Sequence, residues 1–248
     1  MRKRFLTLGL AVLMSVSMVA CGNNDSSSNS GNAESETSAQ KEQSDLQIVE
    51  SGYSVVNSDS DVYAYWGATI KNPNNDYGMD YPEITITVKD ADGKILTTET
   101  QTLMGIAPGD TVSFGSFVDC NGQRPETVEI EANSGDLVAA SSYSGISSSE
   151  IKVSNLSEMK DSYGGIDYTG EVENTSETDL ESVVVTILCK KGDNIVYGTT
   201  TYVDDLKAGS KKPFEASEYD IPEHDSYEIS AQSWQTKENR PAATGRKS

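Results

Sequence analysis

Glu83-Ile84-Thr85-Ile86-Thr87-Val88-Lys89-Asp90-Ala91-Asp92-Gly93 decides the fold class. Ile84, Ile86 and Val88 alternate with Thr85, Thr87 and Lys89, the period of a strand with one face in a core and the other turned outward. The run closes on Asp90-Ala91-Asp92-Gly93-Lys94, where a type I turn with a bulge puts Gly93 at positive φ and lets the chain return as a paired strand. The alternation recurs in Val183, Val185 and Ile187. Further β segments are predicted at Val62 to Asn72, Lys94 to Leu103, Thr111 to Val118 and Thr127 to Asn133, bounded by turns such as Asn72-Pro73-Asn74-Asn75 and Pro108-Gly109-Asp110. No segment carries a helical period. Short strands at this spacing predict an all-β protein built from antiparallel sandwiches.

The same unit is written twice. Gly67-Ala68-Thr69-Ile70-Lys71-Asn72 aligns with Gly170-Glu171-Val172-Glu173-Asn174 after a one-residue slip, and Ile84 to Asp90 aligns with Val183 to Cys189. Gly93 then matches Gly192, Pro108-Gly109 with Phe114 matches Ala208-Gly209 with Phe214, and Val128-Glu129-Ile130 falls beside Tyr227-Glu228-Ile229. Landmarks in one order predict two tandem sandwiches, over residues 46–140 and 150–235, with a break in the Ser/Gly-rich stretch from Ser134 to Glu150. Asn72 and Asn174 are expected to end strands, their amides bonding the backbone that follows.

These landmarks resemble the FxLYD-type domain, a small immunoglobulin-like sandwich of bacterial and archaeal surface proteins. Its pattern is a strand ending in Gly-x-Val-x-Asn, an alternating strand closing on Asp-x-x-Gly, and a Pro-Gly turn before a Phe-bearing strand. Asp90 to Gly93 fits that pattern, whereas Ile86, Val88 and Lys89 stand where Phe, Leu and Tyr are expected and Cys189 replaces the Asp in the second unit. The resemblance implies two immunoglobulin-like β-sandwiches and a surface location, and carries no common activity.

At the N-terminus, Arg2, Lys3 and Arg4 precede an apolar run from Phe5 to Ala20 broken only by Thr7, Gly9, Ser15 and Ser17. That is a signal-peptide pattern over residues 1–20, too short for a comfortable membrane span. Met18-Val19-Ala20-Cys21 resembles the bacterial lipobox, with Met18 in the place of the usual Leu. The resemblance implies a lipid (diacylglyceryl and palmitate-type) anchor on Cys21 and attachment to the extracytoplasmic face of the cell membrane. Two acyl chains, at about 0.8 kcal/mol per buried methylene, anchor stably where one binds only marginally. Residues 21–45 lack large apolar side chains and are expected to form a disordered tether reaching about 25 to 30 Å. Its length favours a Gram-positive envelope. Residues 236–248 are expected to be a disordered basic tail, in which Lys237, Arg240, Arg246 and Lys247 could touch anionic wall polymer.

The chain carries a formal charge of -20. The signal-like start and the tail are each net +3 and residues 22–45 net -4, so residues 46–235 hold -22. Such a field repels nucleic acid and anionic lipid. Besides Cys21 only Cys120 and Cys189 occur, one in each half, so no disulfide framework is expected and both read as free core thiols.

Candidates for chemistry are few. His224 is the sole histidine and lies in the polar turn Pro222-Glu223-His224-Asp225, where a solvated loop residue is expected. Asp90, Asp92 and Gly93 resemble the start of a calcium loop, but Lys94 stands where the next carboxylate belongs and no glutamate closes it. Asp204-Asp205 and Glu218, Asp220, Glu223 and Asp225 could share a cation only if their loops converged. Tyr63 and Tyr65 share a strand face opposite Trp66, and with Tyr53 or Tyr81 could form an aromatic platform for sugar or peptide, cross-strand core contact being the plainer expectation. Trp234 reads as a core plug. No catalytic, cofactor or metal residue is assigned. The sequence thus predicts a membrane-anchored, non-enzymatic binding or spacer module whose partner is an envelope protein or polysaccharide; a solute-capturing lipoprotein and an envelope hydrolase are the alternatives.

Overall fold

The structure, a computed structural model, describes residues 43–58 and 61–236. The signal-like segment, Cys21, nearly all of the expected tether and the tail from Lys237 lie outside the described residues.

The first half runs through β1 (Gln47–Ser58), β2 (Asp61–Lys71), β3 (Tyr77–Asp80), β4 (Glu83–Lys89), β5 (Ile95–Thr102), β6 (Gly105–Ile106), β7 (Thr111–Asp119), β8 (Thr127–Asn133) and β9 (Asp136–Ala139). A 3-10 turn, Ser148–Glu150, leads into the second half, with β10 (Ile151–Lys160), β11 (Ile166–Asn174), β12 (Leu180–Lys191), β13 (Asn194–Leu206), β14 (Lys211–Glu218) and β15 (Ser226–Thr236). Strand pairing is antiparallel throughout, in sheets ordered β1-β2-β7, β5-β4-β8 and β6-β3-β9, then β10-β11-β14 and β13-β12-β15. The protein is therefore an all-β sandwich protein, as the alternation at Ile84, Ile86 and Val88 requires; all three are buried.

In each half two sheets face one another across a core. Ala64, Trp66, Ala68 and Ile70 of β2 meet Ile84, Ile86 and Val88 of β4, with Phe114 beside them. In the second half Tyr168 and Val172 of β11 and Phe214 of β14 meet Val183, Val185, Ile187 and Cys189 of β12. The repeat persists at atomic detail. Asn72 and Asn174 are both fully buried, and each donates its amide to carbonyls across the chain, Asn72 to Ile106 and Ala107 at 3.3 and 3.1 Å and Asn174 to Leu206 at 3.2 Å. Each side-chain oxygen accepts the backbone N–H two residues on, at 3.0 Å. The amides thus replace the ladder bonds lost where the strands stop.

The alternation Val183, Val185, Ile187 predicts a strand buried on one face only, and here the structure differs. Val184, Thr186 and Leu188 are buried as well, because β12 has a second core on its other side. Val184 belongs to the core of the first half, and Thr186 donates its hydroxyl to the Ser113 carbonyl at 2.9 Å. The β13-β12-β15 sheet therefore lies against the β1-β2-β7 sheet, giving four stacked layers. The contact is a crossing. β13 passes over all three strands: Ile195 meets Gly52 of β1, Gly198 meets Gly67 of β2, and Gly198 with Thr199 meets Gly115 of β7. Strands that cross steeply touch closely at one corner, and main chains meet there only if side chains are missing. Lys190 closes the margin of the crossing with ion pairs to Glu50 at 3.0 Å and Glu228 at 2.8 Å.

The stretch from Ser134 to Glu150 is held at several points. β9 pairs with β3, the Tyr143 ring lies against Gly78, and Ser148 donates its N–H and hydroxyl to Asp110 at 2.6 and 2.7 Å. A Cβ on Gly198 would stand 2.4 Å from the Trp66 carbonyl oxygen and 2.9 Å from the Cα atoms of Gly67 and Gly115. Gly198→Ala is therefore expected to cost about 1 to 3 kcal/mol through overpacking, read as a lower urea midpoint; an unchanged midpoint would show that the two faces can separate freely.

Candidate functional site

Three side chains with chemical potential converge at one end of the second sandwich. Tyr168 stands on β11, Cys189 ends the buried run of β12, and His224 comes from the turn before β15. The sequence places His224 in solvent, but its side chain retains only 7% of its surface. The turn is tied down by neighbours that make it look polar in sequence: Glu223 pairs with Lys191 at 2.7 Å, the Asp225 carboxylate accepts the Gly192 N–H at 3.0 Å, and the Asp225 N–H donates to the Lys190 carbonyl at 2.8 Å. With both flanking carboxylates turned to the β12-β13 hairpin, the imidazole faces inward.

Its contacts form a chain. Nδ1 lies 3.0 Å from the Pro222 carbonyl, which can only accept, so Nδ1 carries the proton of that bond. Nε2 lies 3.1 Å from Glu158 Oε2 and 3.2 Å from the Tyr168 hydroxyl, which in turn is 3.1 Å from Cys189 Sγ. Burial raises the Tyr168 hydroxyl far above the ordinary tyrosine range, reinforced by its bond to Cys189. Burial likewise pushes the Cys189 thiol up to about 11, against a smaller opposing pull from the Tyr168 hydrogen bond. A thiol held protonated at neutral pH is a poor nucleophile. The arrangement ties a loop to three strands, β10, β11 and β12; its reactive atoms point at one another.

A second polar group lies nearby. The Glu218 carboxylate accepts hydroxyls from Tyr197 at 2.7 Å and Thr199 at 2.8 Å, and Tyr65 stacks on Tyr197 with ring centroids 4.7 Å apart. Glu218, Glu223 and Asp225 thus each have protein partners, and among the described residues no cluster of three or more His, Cys, Asp or Glu has metal-holding geometry. Asp90 accepts the N–H groups of Asp92 and Lys94 at 3.0 and 2.9 Å, so it shapes its turn. Asp204 and Asp205 lie within β13, where the Asp204 carbonyl accepts Lys212 Nζ at 2.7 Å.

The aromatic residues divide between core and surface. Trp66 is buried, and Trp234 packs on the first core with its ring 6.0 Å from Phe114. Tyr63 and Tyr65 face the other way and flank Phe117, whose ring centroid lies 5.5 and 5.7 Å from theirs. Tyr53 packs on the first core, and Tyr81 is exposed on a positive-φ turn, so neither shares a ring contact with Tyr63. Phe117, Tyr168 and Tyr197 were not singled out by the sequence. The available signal was pairing: Phe117 stands opposite Tyr65, and Tyr197 opposite Cys189.

No protein-family model matches the sequence. Nor does any curated protein sequence. Among solved structures, the crystal structure of red sea bream transglutaminase matches at 8% identity and a TM-score of 0.20, over 75% of this chain and 31% of that one. At that score the overlap carries no argument about activity.

Cys120 and Cys189 are both free and buried. Each should resist alkylation in the folded chain at pH 8 and react fully once urea unfolds it; rapid labelling of Cys189 in the native state would refute the sealed arrangement. The folded chain keeps the Cys189 proton between pH 9 and about 11, where the unfolded chain gives it up. That stabilisation is whole below pH 9 and is lost as pH rises towards 11. Cys189→Ala should therefore flatten part of the fall in urea midpoint across that range.

Proposed function

We propose that the chain is a lipid-anchored lipoprotein of the extracytoplasmic face of the cell membrane, in which two FxLYD-like, immunoglobulin-like repeats form a non-enzymatic binding or spacer module. Cys21 carries the anchor, and the polar tract behind it holds the folded part clear of the headgroups. The observation that supports a contact role most strongly is the inward chain from Glu158 through His224 and Tyr168 to Cys189: the groups best able to do chemistry spend their hydrogen bonds on one another. The crossing at Gly198 supports a spacer that keeps both repeats in one orientation. The strong acidity of residues 46–235 supports an environment in which the module stands away from anionic lipid.

Cys21→Ala should abolish incorporation of labelled fatty acid and leave the protein unprocessed or released from membranes; retained label with unchanged fractionation would sink the anchor. His224→Ala separates structure from chemistry. Losing the imidazole strands Glu158 and Tyr168 and should cost about 1 to 3 kcal/mol, with any envelope phenotype following the amount of folded protein. A His224→Ala chain that is fully folded yet inactive in the cell would overturn the non-enzymatic reading.

A further inference from the structure

β13 covers the β1-β2-β7 face only where it crosses, and rings line the same face where β13 leaves it. Alternate residues of a strand share a side. Along β2 from Gly67, which lies under β13, the next two residues on that side are Tyr65 and Tyr63, and their pairing partners on β7 are Phe117 and Asp119. Tyr65 is partly roofed by Tyr197, on which it stacks. Phe117 touches both Tyr63 and Tyr65 and is still 51% exposed. Apolar residues exposed singly are ordinary, but three contiguous rings make a patch. Carboxylates border it. Asp119 stands beside Tyr63 and uses one oxygen to accept the Asn121 N–H at 2.8 Å. At the other margin Glu218, bonded to the Tyr197 hydroxyl, lies next to Tyr65, and Asp220 follows two residues on. Burial first, and then the Glu218 and Asp220 carboxylates, hold the Tyr65 hydroxyl above the ordinary tyrosine range, so both charges reach this corner. Among the described residues Asp119, Glu218 and Asp220 form no ion pair.

We propose that this face docks an arginine side chain of a partner protein, its guanidinium laid against the Tyr63, Tyr65 and Phe117 rings and its N–H groups donated to Glu218 and Asp220. Charge complementarity selects the occupant. The faces of aromatic rings carry negative potential and attract cations, and the unneutralised carboxylates at the margins add to that attraction. The acidity of residues 46–235 draws cations towards the surface and turns anions away. Glu218 still has capacity, because a carboxylate accepts about four hydrogen bonds and the hydroxyls of Tyr197 and Thr199 take two. A guanidinium is planar and holds five N–H donors, so it stacks and donates at once; the compact, strongly hydrated ammonium of lysine does this poorly. A neutral sugar can lie on the rings but gains nothing from the charge beside them. The proposal rests on the binding half of the function proposed above and names its partner's chemistry; the lipid anchor and the spacer role stand or fall by other measurements.

The test is titration of the isotope-labelled full chain with acetyl-Gly-Arg-Gly-amide, followed by amide chemical shifts. Three further probes separate the causes: acetyl-Gly-Lys-Gly-amide has the charge without the plane, acetyl-Gly-Gln-Gly-amide has neither, and diacetylchitobiose is a neutral sugar. The expected result is saturable shifts at residues 63–65, 117–119 and 218–220 with the arginine peptide, weaker with the lysine peptide and absent with the other two. Phe117→Thr keeps a strand former at an exposed position and should weaken arginine binding about threefold or more. Asp220→Asn suits the φ of 57° there and should also weaken it. Circular dichroism and the urea midpoint report that each variant is folded. No saturable shift from the arginine peptide, equal shifts from the lysine or glutamine peptide, saturation of these residues by the sugar alone, or undiminished binding by both folded variants would each overturn the proposal.

Discussion

The whole stack depends on how closely β13 can cross the β1-β2-β7 sheet. Three glycines, Gly67, Gly115 and Gly198, meet at that point, and Gly52 sits beside them under the Ile195 carbonyl. Glycine in a strand interior sacrifices packing area and costs conformational entropy. The return comes from the larger apolar groups around the crossing, for Leu188 and Val184 reach the first half and Tyr65 reaches the second only when the main chains come this near. The glycines at the centre and the large side chains at the margin form one arrangement.

Strand identity was legible because one-sided burial imprints a period of two. β4 shows it without exception, with Ile84, Ile86 and Val88 inside and Glu83, Thr85 and Thr87 half-buried. β12 is also legible as a strand, but its alternation conceals a second buried face. Val184 and Leu188 break the polar half of the pattern, and the near-continuous run from Val183 to Cys189 is what burial on both faces produces. The repeat was legible through Asn72 and Asn174 and the turns at Gly109 and Gly209, since only a few residues suit a strand end or a left-handed turn.

Burial of His224 was not legible, and the reason is distance along the chain. Its partners Tyr168 and Glu158 lie 56 and 66 residues away, while its immediate neighbours Pro222, Glu223 and Asp225 describe an ordinary polar turn. What turns the ring inward is the capture of Glu223 and Asp225 by the hairpin at Lys191 and Gly192. Gln232 poses the same difficulty in a different form. A polar residue between Ala231 and Ser233 on a terminal strand reads as solvent-facing, yet the neighbouring sheets enclose it. Long-range enclosure leaves little trace in a local pattern.

The start of the described chain is clasped before β1 begins. The Ser44 N–H donates to Asn74 Oδ1 at 2.9 Å, Asn74 Nδ2 donates to the Ser44 carbonyl at 2.7 Å, and Leu46 is buried in the first core. Beyond the clasp, β1 pairs with β2 from Gln47↔Lys71 to Ser58↔Asp61. A pull on the chain ahead of Ser44 is thus carried along the axis of β1. In that direction the ladder bonds share the load in shear, whereas a pull from the hairpin end would peel them open singly. The entry into β1 is built to bear tension.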